Sequence, residues 1–375
     1  MRRDLKWRRR LAAMAAGALA FALFQLLALL PGVTDAVYGR GIGPLLASPL
    51  SSLTGIVPIS LAELLVVGFI VRQLWGMGTG IAQVRNRDRR LGNALAAGVL
   101  RFGADVGVVV ALFYVLWGFH YARPPLEARQ QWGGREAGVE EIARLAQEMV
   151  EAANFEYAGL TLGADLGRPT AAPGRDELLE QLEAGWEEAD GVLGPQAAAI
   201  AGFGAPKPLL ASRLLDYGLT SGFYFPWTAE ANYNAGTPAV SLPQAIAHEM
   251  SHQRGYAPED EANFAGYLAA AMSPGAYSRY SAYVFAQQQL LGVLSRADRE
   301  RATILVRLRL PGVQRDIDAA RRYWEQFEGP ASRAASSMND AYLRTNRVPG
   351  GIASYGRSVE LLIGYARSRG GWLVR

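Results

Sequence analysis

Apolar residues come in three long blocks at the start of the chain and in helical stripes after that. Residues 11–30 carry no charge and are long enough to cross a bilayer as a helix. They follow a basic flank of Arg2, Arg3, Lys6, Arg8, Arg9 and Arg10, and the run is longer than the apolar core of a cleaved signal peptide. Residues 56–75 form a second block, interrupted by Glu63, and residues 102–119 a third, with Asp105 near its start. A carboxylate in such a block must be neutral, paired or turned to a polar interior. Trp117, His120 and Tyr121 close the third block in the manner of an interfacial belt.

Beyond a Pro/Gly-punctuated linker, residues 122–134, the pattern changes to amphipathic stripes. Ile142, Leu145, Ala146 and Met149 share one face of a helix expected over 136–153. Leu178, Leu179, Leu182 and Trp186 share one over 176–190. Residues 166–174 read as a loop and 207–215 as a short helix. The aromatic stretch 217–234 reads as one or two short strands. Helices are then expected over 241–254, 258–272, 276–294, 296–307, 313–327, 331–345 and 355–368. The fold class is therefore mainly α, with three N-terminal transmembrane helices (domain 1–121) and an α-rich domain with a small β-sheet (122–375).

Charge orients these pieces. Arg72, Arg85, Arg87, Arg89 and Arg90 gather at the end of the second block and in the loop after it, whereas residues 31–55 hold only Arg40. Basic loops stay in the cytoplasm, which predicts an extracytoplasmic C-terminal domain. The net charge of +4 is modest and its basic residues flank apolar blocks, so the partner it implies is a lipid bilayer rather than nucleic acid. The chain has no cysteine, which leaves any zinc site to histidine and carboxylate.

Two of the three histidines fall in one pentad, His248-Glu249-Met250-Ser251-His252. On a helix, residues four apart lie on one face, so both imidazoles can reach one Zn²⁺ while Glu249 activates a water. Ser241-Leu242-Pro243-Gln244 reads as a capping box ahead of the pentad, and Gly255 as a left-handed cap after it. Catalytic zinc takes three protein ligands and one open position. Glu259 and Asp260 are accounted for by their place in the first turn of the next helix. Glu261 is favoured over Glu259 as the third ligand, with Asn263 as a supporting group and His120 set aside as an interfacial residue. Tyr342, Tyr355, Arg357 and Asn339 are candidate oxyanion donors, Tyr342 first. Glu230, Asn232 and Asn234 line the approach without an assigned role.

The pentad followed by a Glu-bearing helix resembles the gluzincin class of zinc metallopeptidases. More closely, His248 to Phe264, Pro226 to Ala231 and Asn339 to Leu343 resemble the bacterial membrane family called domain of unknown function 3810. The resemblance implies a zincin-like domain in a multi-pass protein of the bacterial inner membrane. The expected function is a membrane-anchored zinc metallopeptidase that hydrolyses extracytoplasmic peptide or protein. The alternative is a non-enzymatic envelope sensor or assembly protein with a structural or vestigial metal site. A transporter would rest on Glu63 and Asp105 alone.

Overall fold

The computed structural model describes residues 2–133, 136–161, 170–194 and 202–374, which leaves Gly134 of the linker and residues 166–169 of the expected loop outside the described residues. The chain is mainly helical, with one small sheet. Among the described residues, three helices are long and apolar enough to cross a membrane: α1 (Arg2–Leu27, apolar from Leu11), α3 (Leu61–Arg85) and α4 (Leu91–Leu116). α1 and α4 pack along their length, with the Phe24 and Tyr114 rings stacked at 5.0 Å. α3 touches the others least and turns most of its apolar surface outward.

The connection between the first two apolar blocks is itself helical. A π-helical stretch (Asp35–Ile42) leads into α2 (Gly43–Gly55), which lies against the sheet. Asp35 pairs with the buried Arg123 at 2.8 Å and so ties this connection to the segment after α4. The charges inside the apolar blocks have partners. Arg72 reaches Asp105 through two contacts of 2.7 and 3.0 Å, and Gln73 adds a third at 2.9 Å. Glu63 accepts the backbone N–H groups of Leu210 and Ala211 at 3.0 and 2.7 Å.

The core of the remaining chain is formed by α5 (Val139–Leu160), α6 (Arg175–Leu193), α8 (Glu259–Ala271) and α9 (Ala276–Ala297), around the buried Met149, Trp186, Phe264 and Tyr280. The stripes at Ile142, Leu145, Ala146 and Met149 and at Leu178, Leu179, Leu182 and Trp186 are all buried there. α7 (Leu242–Gln253) carries the pentad and is packed against α8. Helices α10 to α13 (Arg299–Arg307, Pro311–Glu325, Pro330–Thr345, Ser358–Ser368) complete the chain.

The sheet has the order β1-β3-β2. β1 (Lys207–Pro208) runs parallel to β3 (Glu230–Tyr233), and β2 (Gly222–Phe225) runs antiparallel to β3 with Gly222 opposite Tyr233. The short helix expected over 207–215 is thus a strand followed by a helix at Ser212–Asp216. Pro208 ends its strand early, and the hydroxyl of Ser212 turns back on the Leu209 carbonyl at 2.6 Å.

Glu230 joins sheet to apolar helix. Its carboxylate pairs with the buried Lys207, accepts from Thr228 at 2.9 Å, and receives the Leu61 and Ala62 N–H groups at 3.2 and 2.8 Å. A carboxylate at a helix N-terminus satisfies donors that have no partner within the helix. Removing one member of a buried ion pair leaves the other uncompensated at a cost of about 3–5 kcal/mol. Glu230→Ala and Lys207→Ala are each expected to lower thermal stability in detergent by that order, with the double variant losing less than the sum of the two.

Candidate metal centre

α7 begins after a 3₁₀ turn, Ala239–Ser241, with Pro243 in its first turn. Ser241 makes no side-chain cap, contrary to the capping box expected there. The buried N–H of Gln244, which has no partner within the helix, instead donates to the Ser281 hydroxyl of α9 at 3.2 Å, while the Gln244 amide spans to the Asn263 carbonyl at 3.2 Å. A tertiary partner has replaced the local one. The helix ends at Gly255 with φ +86°, as the cap requires, and a Cβ there would sit 2.7 Å from the His120 ring.

His248 and His252 lie one turn apart, with ring centroids 4.7 Å from each other. The carboxylate that faces them belongs to Glu259. Its Oε2 is 3.2 Å from His248 Nε2 and 3.5 Å from His252 Nε2. Glu261, favoured from the sequence, points elsewhere: it pairs with Arg129 and accepts the Leu126 N–H at 2.8 Å. The reason is helical geometry. Two residues apart means about 200° of rotation, so Glu259 and Glu261 emerge on opposite faces of α8. Asp260, between them, pairs with Arg357 at 3.0 Å, which removes that arginine from the oxyanion candidates.

The cluster suits a cation. Zinc bonds of about 2.0–2.2 Å at tetrahedral angles place neighbouring ligand atoms about 3.4 Å apart. The two separations straddle that value, and all three candidate ligand atoms fall within 4.8 Å of one another. Glu259 Oε2 is buried and forms no well-oriented hydrogen bond despite its two close neighbours. His252 Nδ1 lies 2.7 Å from the Tyr256 carbonyl, which fixes Nδ1 as the protonated nitrogen and turns the Nε2 lone pair to the cluster. Trp117 holds the same residue from behind, donating to the His252 carbonyl at 3.1 Å.

Glu249 is buried on the strand side. A Cβ on Gly222 would fall 2.7 Å from its Cγ, so β2 can pass this close only with glycine there. Its Oε2 has no hydrogen-bond partner. Burial pushes its carboxyl up to about 7, against the pull of the two imidazoles and the Tyr224 N–H. Burial would lower His252, but the Glu259 carboxylate outweighs it and lifts the imidazole to about 9. Glu259 is held well below the usual carboxylate range, since the imidazoles outweigh its own burial.

A group of tyrosines stands over the cluster. Tyr121 donates to Tyr342 at 3.1 Å, and Asn339 donates to Tyr355 Oη at 3.2 Å. Burial raises all three hydroxyls, and the charge of Glu259 adds to it at each; Tyr355 also bonds to that carboxylate. Asn263 supports this wall rather than a ligand, donating to the Tyr355 carbonyl at 3.3 Å. Asn232 and Asn234 bond within the sheet region, to the Glu230 carbonyl and to Asp216. His120 is buried against Tyr38, outside the cluster.

A mainly helical chain with three apolar helices of membrane-crossing length and a His/His/Glu cluster able to hold a metal ion is the class that fold and site define. Residues 38–363 match the family described as protein of unknown function (DUF3810), and the chain belongs to that family. No curated protein matches it, and no solved structure does.

Glu259→Gln is expected to abolish uptake of a divalent metal ion such as zinc by the purified protein, and Glu261→Gln to keep it, as read by elemental analysis after metal loading. Protons and zinc compete for His252 Nε2. With that imidazole at about 9, zinc affinity should rise by up to about tenfold per pH unit from pH 7 towards 9 and then level off, in a competition titration against a chromophoric chelator.

Proposed function

We propose that the protein is a membrane-anchored zinc metallopeptidase whose site domain has a zincin-like plan. His248, His252 and Glu259 would hold the metal, and Glu249 would be the general base. The observation that carries this reading is the Glu249 carboxylate, buried with a free oxygen beside a cluster that offers three ligand atoms without it. A structural metal site has no use for a second carboxylate left without a partner at considerable desolvation cost.

Bound zinc would polarise a peptide carbonyl and acidify a water in the open position. Glu249 would take the proton from that water and pass it to the leaving amine. The hydroxyls of Tyr355 and Tyr342, both under the influence of the Glu259 charge, are the candidate donors for a developing oxyanion, with Asn339 holding the Tyr355 hydroxyl in place. β2 is an edge strand of the sheet, and an extended peptide could pair along it by main-chain hydrogen bonds.

The arginines support the orientation proposed for the membrane. α3 begins against the Glu230 carboxylate and α4 ends at Trp117, so the arginine-bearing loop between Arg85 and Leu91 lies at the far ends of both helices from the site. By the basic-loop rule, the site then faces the extracytoplasmic side of the bacterial inner membrane.

Glu249→Gln is expected to keep zinc while losing hydrolysis of a proteome-derived peptide library by about 10²–10⁴-fold. Tyr355→Phe should keep zinc and lose about 10²-fold, and His248→Ala should lose metal and activity together. Purified protein without stoichiometric zinc would refute the reading. Cells in which Glu249→Gln matches wild type while His248→Ala does not would point to the non-enzymatic sensor or assembly role.

A further inference from the structure

α4 measures the depth of the apolar layer. Arg10, the last residue of the basic flank, donates to the Ala97 carbonyl at 3.4 Å and so sets one boundary. A hydrocarbon core of about 30 Å takes about 20 helical residues, which from Ala97 leads to Trp117. Trp117 is the C-cap of α4, and its indole N–H holds the backbone of His252. The candidate ligand therefore stands at the far boundary of that layer, with no spacer between.

The β2–β3 hairpin reaches deeper. Trp227, in its turn, donates to the Val109 carbonyl at 3.2 Å. Val109 precedes Trp117 by eight residues, or about 12 Å along a helix. The Trp227 ring rests on Phe225 at 4.8 Å and on Phe113 at 6.1 Å. Beside the hairpin, Glu63 in the first turn of α3 binds the backbone of Leu210 and Ala211, and the side chains of Leu210 and Leu214 are exposed at that level. An apolar rim thus surrounds the site where the spans begin and end.

β2 runs from Gly222, in contact with Glu249, to Phe225 and the turn that dips below the boundary. A polypeptide paired with its open edge has a peptide bond near Glu249, and its other end continues alongside Phe225 into the layer. We propose that the substrates are membrane-spanning proteins, cut in the stretch that flanks a transmembrane helix, within about ten residues of it at ~3.3 Å per residue. This rests on the peptidase reading above. The energetics favour such a chain. Free peptide would carry unsatisfied backbone groups into hydrocarbon at several kcal/mol each, whereas a spanning substrate is already anchored there and β2 supplies partners for its emerging segment.

The test maps protein termini in membrane and soluble fractions of cells carrying the wild-type chain or Glu249→Gln. The expected result is a set of new termini, lost in the variant, that lie next to transmembrane helices. New termini lost in the variant but confined to soluble proteins, to lipid-anchored chains or to remote loops would overturn the inference and leave the peptidase reading standing. No difference between the two cell lines would overturn both. The depth of the hairpin has its own readout, because the chain has no cysteine. A spin label on Phe225→Cys in lipid nanodiscs should relax with lipid-soluble oxygen, and relaxation by an aqueous nickel chelate alone would overturn the inference.

Discussion

A carboxylate buried between two imidazoles is costly unless positive charge is shared among them, and the Glu259–His248–His252 contact is the constraint around which the site is arranged. Each of the three is held by an element with another task. His252 is braced by Trp117 at the end of an apolar helix and by the Tyr256 carbonyl after the Gly255 cap. Glu259 opens α8, whose other face is locked by the Glu261–Arg129 pair. The outward and inward carboxylates of one helical turn thus divide the work. One faces the cluster, and the other fastens the helix to the segment that leaves the apolar layer.

The same economy links the sheet to the apolar helices. Glu230 caps α3 from β3, Glu63 in α3 caps the Leu210 turn, and the hairpin turn bonds to α4 through Trp227. These are carboxylate-to-amide and indole-to-carbonyl contacts, which need defined geometry. They make the site helix, the strand beside it and the three long helices a single packed unit, so that the His/His/Glu cluster has a fixed position along the apolar helices.

Periodic features were legible in the chain. The three apolar blocks and the stripes on α5 and α6 follow from the need to bury or immerse apolar surface, and that need is written in spacing. The pentad spacing brought His248 and His252 together for the same reason. What escaped depended on tertiary partners. The choice of Glu261 over Glu259 turned on which face of α8 meets α7, although the 200° between the two residues and the bare basic partner at Arg129 were available signals. Helical structure across residues 35–55, the Ser281 cap on α7 and the Tyr355–Glu259 contact come from neighbours remote in sequence, and no local pattern encodes them.

X-ray absorption at the zinc edge of the purified, zinc-loaded protein is the most direct measurement of the central claim. The arrangement of His248, His252 and Glu259 requires a first shell of nitrogen and oxygen near 2.0–2.1 Å, about four-coordinate, with the outer-shell scattering of two imidazoles. A six-oxygen shell, a shell with a single imidazole, or an unchanged spectrum in Glu259→Gln would contradict it.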